Sequence, residues 1–237
     1  KYSYEYITEV LKVDKDKLWF TVYKDDDEAY NIWKNVIGVP EKRIQRGNED
    51  NFWHMNIPGP CGPCSEIFID RGSKYGKDGG PIGGGEDRFI EIWNLVFMES
   101  IQDQPFQVID ELPKKNIDTG MGLERIAMIM QDKDNLFDTD LFKPLHDALL
   151  SKITVNDNKY EKIIIDHIKS STFMISDGVV PTNEGRGYVL RRLIRRAIRA
   201  YNQLNSSNTS LTFLIEIVID MYALSLIHIS EPTRPQC

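Results

Sequence analysis

Asp118-Thr119-Gly120-Met121-Gly122-Leu123-Glu124-Arg125 is the stretch on which the reading of this chain turns. A short β-type lead, Asn116-Ile117, runs into it, and Leu123, Ile126, Ala127 and Met130 set up an apolar helical pattern from its second half onward. An acid, a pair of glycines and an arginine therefore meet where a strand turns into a helix. Glycine lets a ligand approach the backbone, and the first turn of a helix offers free N–H groups to an anion. Arg125 carries a planar fork that matches phosphate, and Asp118 carries a carboxylate that matches an ammonium group. Together they predict a site that brings an amino acid to a nucleotide. The competing reading is bland: Asp118 and Thr119 as a helix N-cap, Arg125 as a surface helix residue.

Toward the N-terminus, Arg88–Met98 reads as an apolar strand, preceded by a Gly-rich loop over 72–86 and a short strand at Ser65–Asp70. Strict alternation puts Asn94 on one face with Ile90, Ile92 and Val96, and Glu91 on the other. A polar residue on an apolar face is informative, though a hydrogen-bonded core asparagine would look the same. Further upstream, Asp26–Ile37 reads as a helix ended by Gly38 and Pro40, Leu18–Tyr23 as a strand, and Tyr2–Val13 as the end of a helix. Cys61 and Cys64 form a C-x-x-C with no second ligand pair nearby, and with Pro60 and Pro63 they read as a structural loop. Phe52 and Trp53 are adjacent aromatics, which alone suggest core.

Toward the C-terminus the pattern changes to helices over Leu141–Ile153, Lys159–Ser176, Gly187–Leu204 and Thr212–Tyr222, with a polar linker at 205–210. Strands followed by helices predict an α+β domain over residues 1–137 and an all-helical domain over 138–223, divided near Leu136–Thr139. His167 lies on the apolar side of its helix and reads as structural. In the third predicted helix Arg191, Arg195 and Arg199 recur at i, i+4, with Arg192 and Arg196 beside them and no acid between residues 188 and 204. Leu190, Leu193, Ile194, Ala197 and Tyr201 form the opposite stripe. A solvated face is the default for such a pattern, but one-signed charge favours a surface for RNA.

The 237 residues carry a net charge of −7, so the chain as a whole is no general nucleic-acid binder and any RNA contact must be local. Three cysteines do not make a disulfide framework, which fits a reducing compartment, the cytoplasm or an organellar matrix. No apolar run approaches the ~18 residues that span a bilayer, so no membrane partner is expected. The chain starts at Lys1 without an initiator Met or a signal-peptide pattern, which reads as a partial product. Residues 224–237 break with what precedes them and read as a non-native tail resembling a translated sequencing adaptor.

The motif 118–125 resembles motif 3 of the class II aminoacyl-tRNA synthetases. Three further blocks narrow the resemblance to the alanine-specific branch: Asn51–Met55 with Gly59–Glu66, then Glu91–Met98, then Asp166-His167 with Asp177–Arg192. Met55-Asn56-Ile57-Pro58 departs from the glycines usual there. The resemblance implies a class II antiparallel sheet with helices, followed by a helical tRNA-recognition domain, both partial. It implies ATP-dependent ligation of L-alanine to tRNA-Ala through alanyl-adenylate. Asp118 would bind the α-amino group, Asn94 the alanine, and Trp53 would wall the pocket. Gly120 and Gly122 would floor the alanine and nucleotide sites, and Arg125 would bind the ATP γ-phosphate. ATP chemistry calls for Mg²⁺, for which Glu91 is the candidate ligand, although its parity places it on the wrong face unless the strand bulges. Asn183 would reach the base pair that identifies the tRNA, with Arg191, Arg192, Arg195, Arg196 and Arg199 along the acceptor stem. The resemblance also implies motifs 1 and 2 upstream of Lys1, zinc in a downstream editing region, possible oligomerisation through segments outside this chain, and little activity from the chain alone. The alternative from another class is a non-catalytic, RNA-binding relative of the synthetases.

Overall fold

A computed structural model describes residues 1–204 and 210–229, with side chains through Ala223; the remainder of the predicted tail lies outside the described residues. The chain forms two compact units, Lys1–Asp132 and Lys133–Cys237. The sequence pattern puts the change a few residues later, near Leu136–Thr139.

The first unit is a sheet of six strands in the order β2-β1-β4-β5-β6, with β3 pairing to β4. It begins with helix α1 (Tyr2–Glu5), which runs on as a π-helical turn over Tyr6–Val10. Strand β1 (Leu18–Tyr23) follows, its β-branched and aromatic residues suiting a pleated surface. Helix α2 (Asp27–Asn31) is capped by Asp26, whose side chain accepts from the Ala29 N–H at 2.8 Å. It continues as a π-helical turn to Ile37 and ends on Gly38 at φ 83°, the left-handed stop that glycine allows. This helix carries the chain across to β2 (Ile44–Gly47), which pairs with β1 in parallel. The expected antiparallel sheet is therefore mixed; the other paired strands are antiparallel.

Strands β3 (Phe52–His54), β4 (Gly59–Asp70), β5 (Phe89–Gln104) and β6 (Gln107–Gly120) complete the sheet. The last three are longer than their sequences suggest. The Gly59–Cys64 block, expected to be a loop, is the first half of β4; Pro60 and Pro63 obscure it, and the register slips between Cys61 and Cys64. Strand β6 exposes nearly every residue, so it has no buried face to create alternation. The Gly-rich segment, expected to hold no element, contains a 3₁₀ turn at Ser73–Tyr75 and the single-turn helix α3 (Gly80–Gly83). Gln45 pins that turn, donating to Gly79 O at 2.8 Å and accepting from Ile82 N at 3.0 Å.

Helix α4 (Leu123–Met130) starts where the apolar helical pattern does, because Gly120 is still paired to Asn94 in the sheet. Leu18, Phe20, Val22, Trp33, Ile67, Ile69, Ile92 and Ile126 form the core on one face of the sheet. The opposite face carries the polar residues described below.

The second unit contains α5 (Lys143–Leu150), α6 (Asn158–Ser176), α7 (Gly185–Leu204) and α8 (Thr212–Ile229). Its core is built from Leu145, Leu149, Ile164, Ile165, Ile168, Ala197, Tyr201, Leu204 and Leu214. Asp157 caps α6 through a bond from Lys159 N at 2.9 Å. No described helix is long and apolar enough to cross a membrane.

Candidate active site and arginine face

The site on the sheet is a set of rows across strands. Thr21 on β1 stands opposite Glu66 on β4, Glu66 opposite Asn94 on β5, and Asn94 opposite Gly120 on β6. One step along the same face, Cys64, Val96 and Asp118 form the next row. Alternation therefore places Asn94, Asp118 and Gly120 together, away from the core that Phe20 and Ile67 define.

Between Ile67 and Phe68 the β4–β5 register shifts: Ile67 faces Trp93, yet Phe68 faces Glu91. Ile92 is the extra residue, and it packs into the core together with Trp93 and Ile90. This bulge overturns two expectations. Asn94 does not share a face with Ile90 and Ile92, and Glu91 is not on the far side of the strand. Glu91 lies instead on the face of Glu66 and Asn94, near enough for its charge to act on Glu66.

Arg125, in the first turn of α4, reaches that carboxylate. Its Nη1 donates to Glu91 Oε2 at 2.9 Å and to the Glu91 carbonyl at 2.9 Å. The guanidinium is still about half exposed, so part of its donor fork faces outward. Gly122, at φ −74°, precedes the helix and leaves N–H groups of its first turn without helical partners.

The glycines here are not required by the fold. A Cβ on Gly120 would meet nothing within 4 Å, and one on Gly122 would meet only the Arg125 side chain, at 3.7 Å. Gly62, three residues before Ser65 on β4, differs sharply: a Cβ there would lie 1.9 Å from Phe97 O. Gly62 is needed for packing, whereas open space lies beside Gly120, and beside Gly122 up to the Arg125 side chain.

Trp53 is half-buried and stands opposite Gly62, two and four positions along β4 from Cys64 and Glu66. Its neighbour Phe52 packs with Tyr23 and Phe106, at ring-centroid distances of 5.3 and 5.9 Å. The aromatic pair is thus divided, and only Phe52 belongs to an aromatic cluster. The Asp118 carboxylate is exposed and makes no hydrogen bond or ion pair among the described residues.

The residue that the sequence reading passes over is Glu66. Its carboxylate accepts from Thr21 Oγ1 at 2.9 Å, Asn51 Nδ2 at 3.1 Å and Asn94 Nδ2 at 3.2 Å. Burial pushes its pKa up to about 7; the Thr21 and Asn51 bonds act the other way, and the Glu91 charge adds to the rise. The same burial, helped by the Glu66 charge, pushes the Cys64 thiol up to about 12. Cys64 therefore stays protonated at neutral pH, which is unsuited to a thiolate role. A signal for Glu66 was available: it is a carboxylate in a strand whose other residues are mostly apolar.

In the helical unit, α7 buries Gly187, Leu190, Ala197, Ala200, Tyr201 and Leu204 and exposes Arg191, Arg192, Arg195, Arg196 and Arg199. These arginines and Tyr188 line one shallow cleft. None of them is ion-paired among the described residues. Arg191 donates to Asn183 Oδ1, and Arg192 sits 5.7 Å from the centre of the Tyr188 ring. Asn183 is exposed in the turn before the helix, where Thr182 Oγ1 donates to Glu184 O at 2.8 Å. Buried His167 bonds through Nδ1 to Asp166 at 2.8 Å, in keeping with a structural role.

A family model described as tRNA synthetases class II (A) matches residues 1–233. Among curated proteins, the alanine--tRNA ligase of Corynebacterium glutamicum (strain R) is 48% identical over 231 residues, covering 92% of this chain and 26% of the relative. That of Corynebacterium jeikeium (strain K411) is 47% identical over 234 residues, covering 93% and 26%. That of Mycobacterium sp. (strain KMS) is 48% identical over 220 residues, covering 87% and 24%. The chain thus spans about a quarter of the length of these relatives.

Proposed function

This chain belongs to the class II tRNA synthetase family, and we propose that it supplies the amino-acid and ATP contacts of an enzyme that ligates L-alanine to tRNA-Ala. The observation that carries this reading is the single sheet face on which Asp118, Asn94 and Gly120 lie together, with the Glu91–Arg125 pair on the same face.

In this reading Asp118 takes the α-amino group of alanine, since its exposed carboxylate has no competing partner among the described residues. Trp53 limits the pocket and Asn94 lines it. Gly120 and Gly122 let the substrates lie close to the backbone. Arg125 receives the γ-phosphate on the donor edge that Glu91 does not occupy. Glu91 fits a Mg²⁺ role: one carboxylate on the ligand face suits an ion that keeps several waters and is held largely by the phosphates of its nucleotide. Bound Mg²⁺ would offset phosphate charge. The chain's own residues orient alanine and ATP, and most of the rate gain then comes from positioning and charge stabilisation. On α7, Arg191, Arg192, Arg195, Arg196 and Arg199 would meet the acceptor-stem backbone, and Asn183 a base edge. Such an enzyme works where ATP and tRNA are found together, the cytoplasm or an organellar matrix.

The test is alanine-dependent ATP–pyrophosphate exchange by a protein of the relatives' length that contains this chain. Exchange that depends on alanine and is lost in Arg125→Ala supports the reading. Absence of exchange together with retained tRNA binding would favour a non-catalytic RNA-binding relative.

A further inference from the structure

Glu66 has no substrate contact assigned above, yet three side chains converge on its carboxylate on the ligand face. Thr21 from β1, Asn51 from the turn before β3 and Asn94 from β5 all donate to its carboxylate. Asn51 is itself buried and also donates to Thr21 Oγ1 at 2.8 Å and to Cys64 O at 3.4 Å. It is held from below by Gly47, where an added Cβ would lie 1.9 Å from Asn51 Oδ1. The network thus has one fixed end, Gly47–Asn51–Thr21, and one end in the candidate alanine pocket, Asn94. Glu66 joins the two.

Asn94 needs such a partner. Its Nδ2 donates to Glu66 Oε1 at 3.2 Å and also faces the Cys64 thiol, and its Oδ1 is buried with no hydrogen-bond partner among the described residues. An amide held at one end has a defined orientation; released, it can turn over and exchange donor for acceptor. We infer that Glu66 is a positioning residue: its carboxylate fixes the side-chain amide of Asn94 and so sets the polarity of the alanine subsite. This rests on the reading of that face as the amino-acid pocket. Glu66 acts through Asn94 and not by touching substrate.

The role predicts a pH response. Three donors converge on the carboxylate, so the ionised form satisfies them all. Oε2 accepts from both Thr21 and Asn51 and Oε1 from Asn94, so a proton goes to Oε1, the oxygen with fewer donors, and displaces the Asn94 donor. With the Glu66 pKa near 7, the hold on Asn94 is complete above that pH and weakens as pH falls through it. Other titratable groups near Glu66 are Asp50 from the turn before β3, Cys64 on its own strand and Glu91 on β5. Cys64 remains a thiol across this range.

The experiment measures KM for alanine and KM for ATP separately, by pyrophosphate exchange, in a protein of the relatives' length containing this chain, from about pH 6 to 8. The wild type should show alanine KM rising several-fold toward low pH while ATP KM stays level. Glu66→Gln should raise alanine KM about tenfold at pH 8, the loss of roughly one hydrogen bond to a charged group, and should flatten the pH profile. A flat profile in Glu66→Gln assigns the response to Glu66 and not to Asp50 or Glu91. If Glu66→Gln fails to fold, Asn94→Ala takes its place: alanine KM should rise and lose its dependence on pH, and a pH response that persists in it overturns the inference. Wild-type exchange with an alanine KM that does not change relative to that for ATP, or a Glu66→Gln enzyme with unchanged alanine KM, overturns the inference and leaves the pocket reading standing. No alanine-dependent exchange in the wild type overturns both.

Discussion

On the sheet face, the side chains suited to grip a small ligand are mostly gripped themselves: Arg125 by Glu91, and Asn94 by Glu66. Along α7 the arginines stand exposed without an acid partner among the described residues, over a buried stripe of Leu190, Ala197 and Tyr201. The difference fits what each surface is proposed to bind. A small substrate must be held within a fraction of an ångström for reaction, so its contacts are fixed in advance by neighbours in a rigid sheet. A polyanion is held by many weak contacts to similar phosphates, so exposed cations on a straight helix suffice, and fixing each would cost affinity through pairing. Asp118 is the exception on the sheet: it is placed by its strand, but its carboxylate has no partner among the described residues.

That exception gives the largest expected effect. In the protein containing this chain at its relatives' length, Asp118→Asn should remove the proposed charge-assisted bond to the ammonium group, worth ~1.5–3 kcal/mol. Alanine KM, or kcat/KM where KM cannot be reached, should suffer by about 10- to 150-fold. ATP KM should change by much less. Exchange kinetics varied in each substrate check this. Equal losses for both would mean that Asp118 supports the sheet, and its status as the open group on a pre-paired face would fall.

The glycines extend the same contrast within the sheet unit. Gly62→Ala forces a Cβ to within 1.9 Å of Phe97 O and should cost ~1–3 kcal/mol of stability, read as a lower melting temperature. Gly120→Ala meets no protein atom within 4 Å and should leave the melting temperature unchanged or slightly raised. Its exchange activity should nevertheless fall, since the methyl group would occupy ligand space. A Gly120→Ala protein with full activity would show that no substrate lies against β6 at that point.

How far these features can be read in the sequence depends on where the information lies. The strand-to-helix turn at 118–125 is legible because acid, glycines and helical periodicity are local. The arginine face is legible because a helix converts spacing into direction, and α7 obeys that conversion. Glu91 is misplaced because strand parity assumes no bulge, and the extra residue Ile92 is defined only by pairing with β4. The long hairpin of β5 and β6 is shortened because an exposed strand carries no alternation. Glu66 stands out locally as a carboxylate in a mostly apolar strand, but its role lies in hydrogen bonds with Thr21 and Asn94, 45 and 28 residues away, which that local signal does not reveal.

The smallest effect belongs to single arginines of α7. Each is one of several similar cations, so removing one should weaken binding to an acceptor-stem RNA only modestly and without regard to sequence. The salt dependence is the more discriminating readout. Every phosphate that an arginine neutralises releases condensed counterions, and the slope of log K against log salt falls by about 0.7–0.9 for each phosphate left unneutralised. Arg195→Gln should flatten that slope by about this amount, because Arg195 lines the arginine cleft and has no protein partner among the described residues. Arg191→Gln should do more than flatten the slope: Arg191 also donates to Asn183 Oδ1, so its removal frees the side chain proposed to read a base. Discrimination between the cognate stem and one with an altered base pair should then narrow for Arg191→Gln and not for Arg195→Gln. Equal slopes and equal discrimination in both variants would mean that the face is merely solvated, and the contrast between a pre-paired sheet and an open arginine helix would have no functional content.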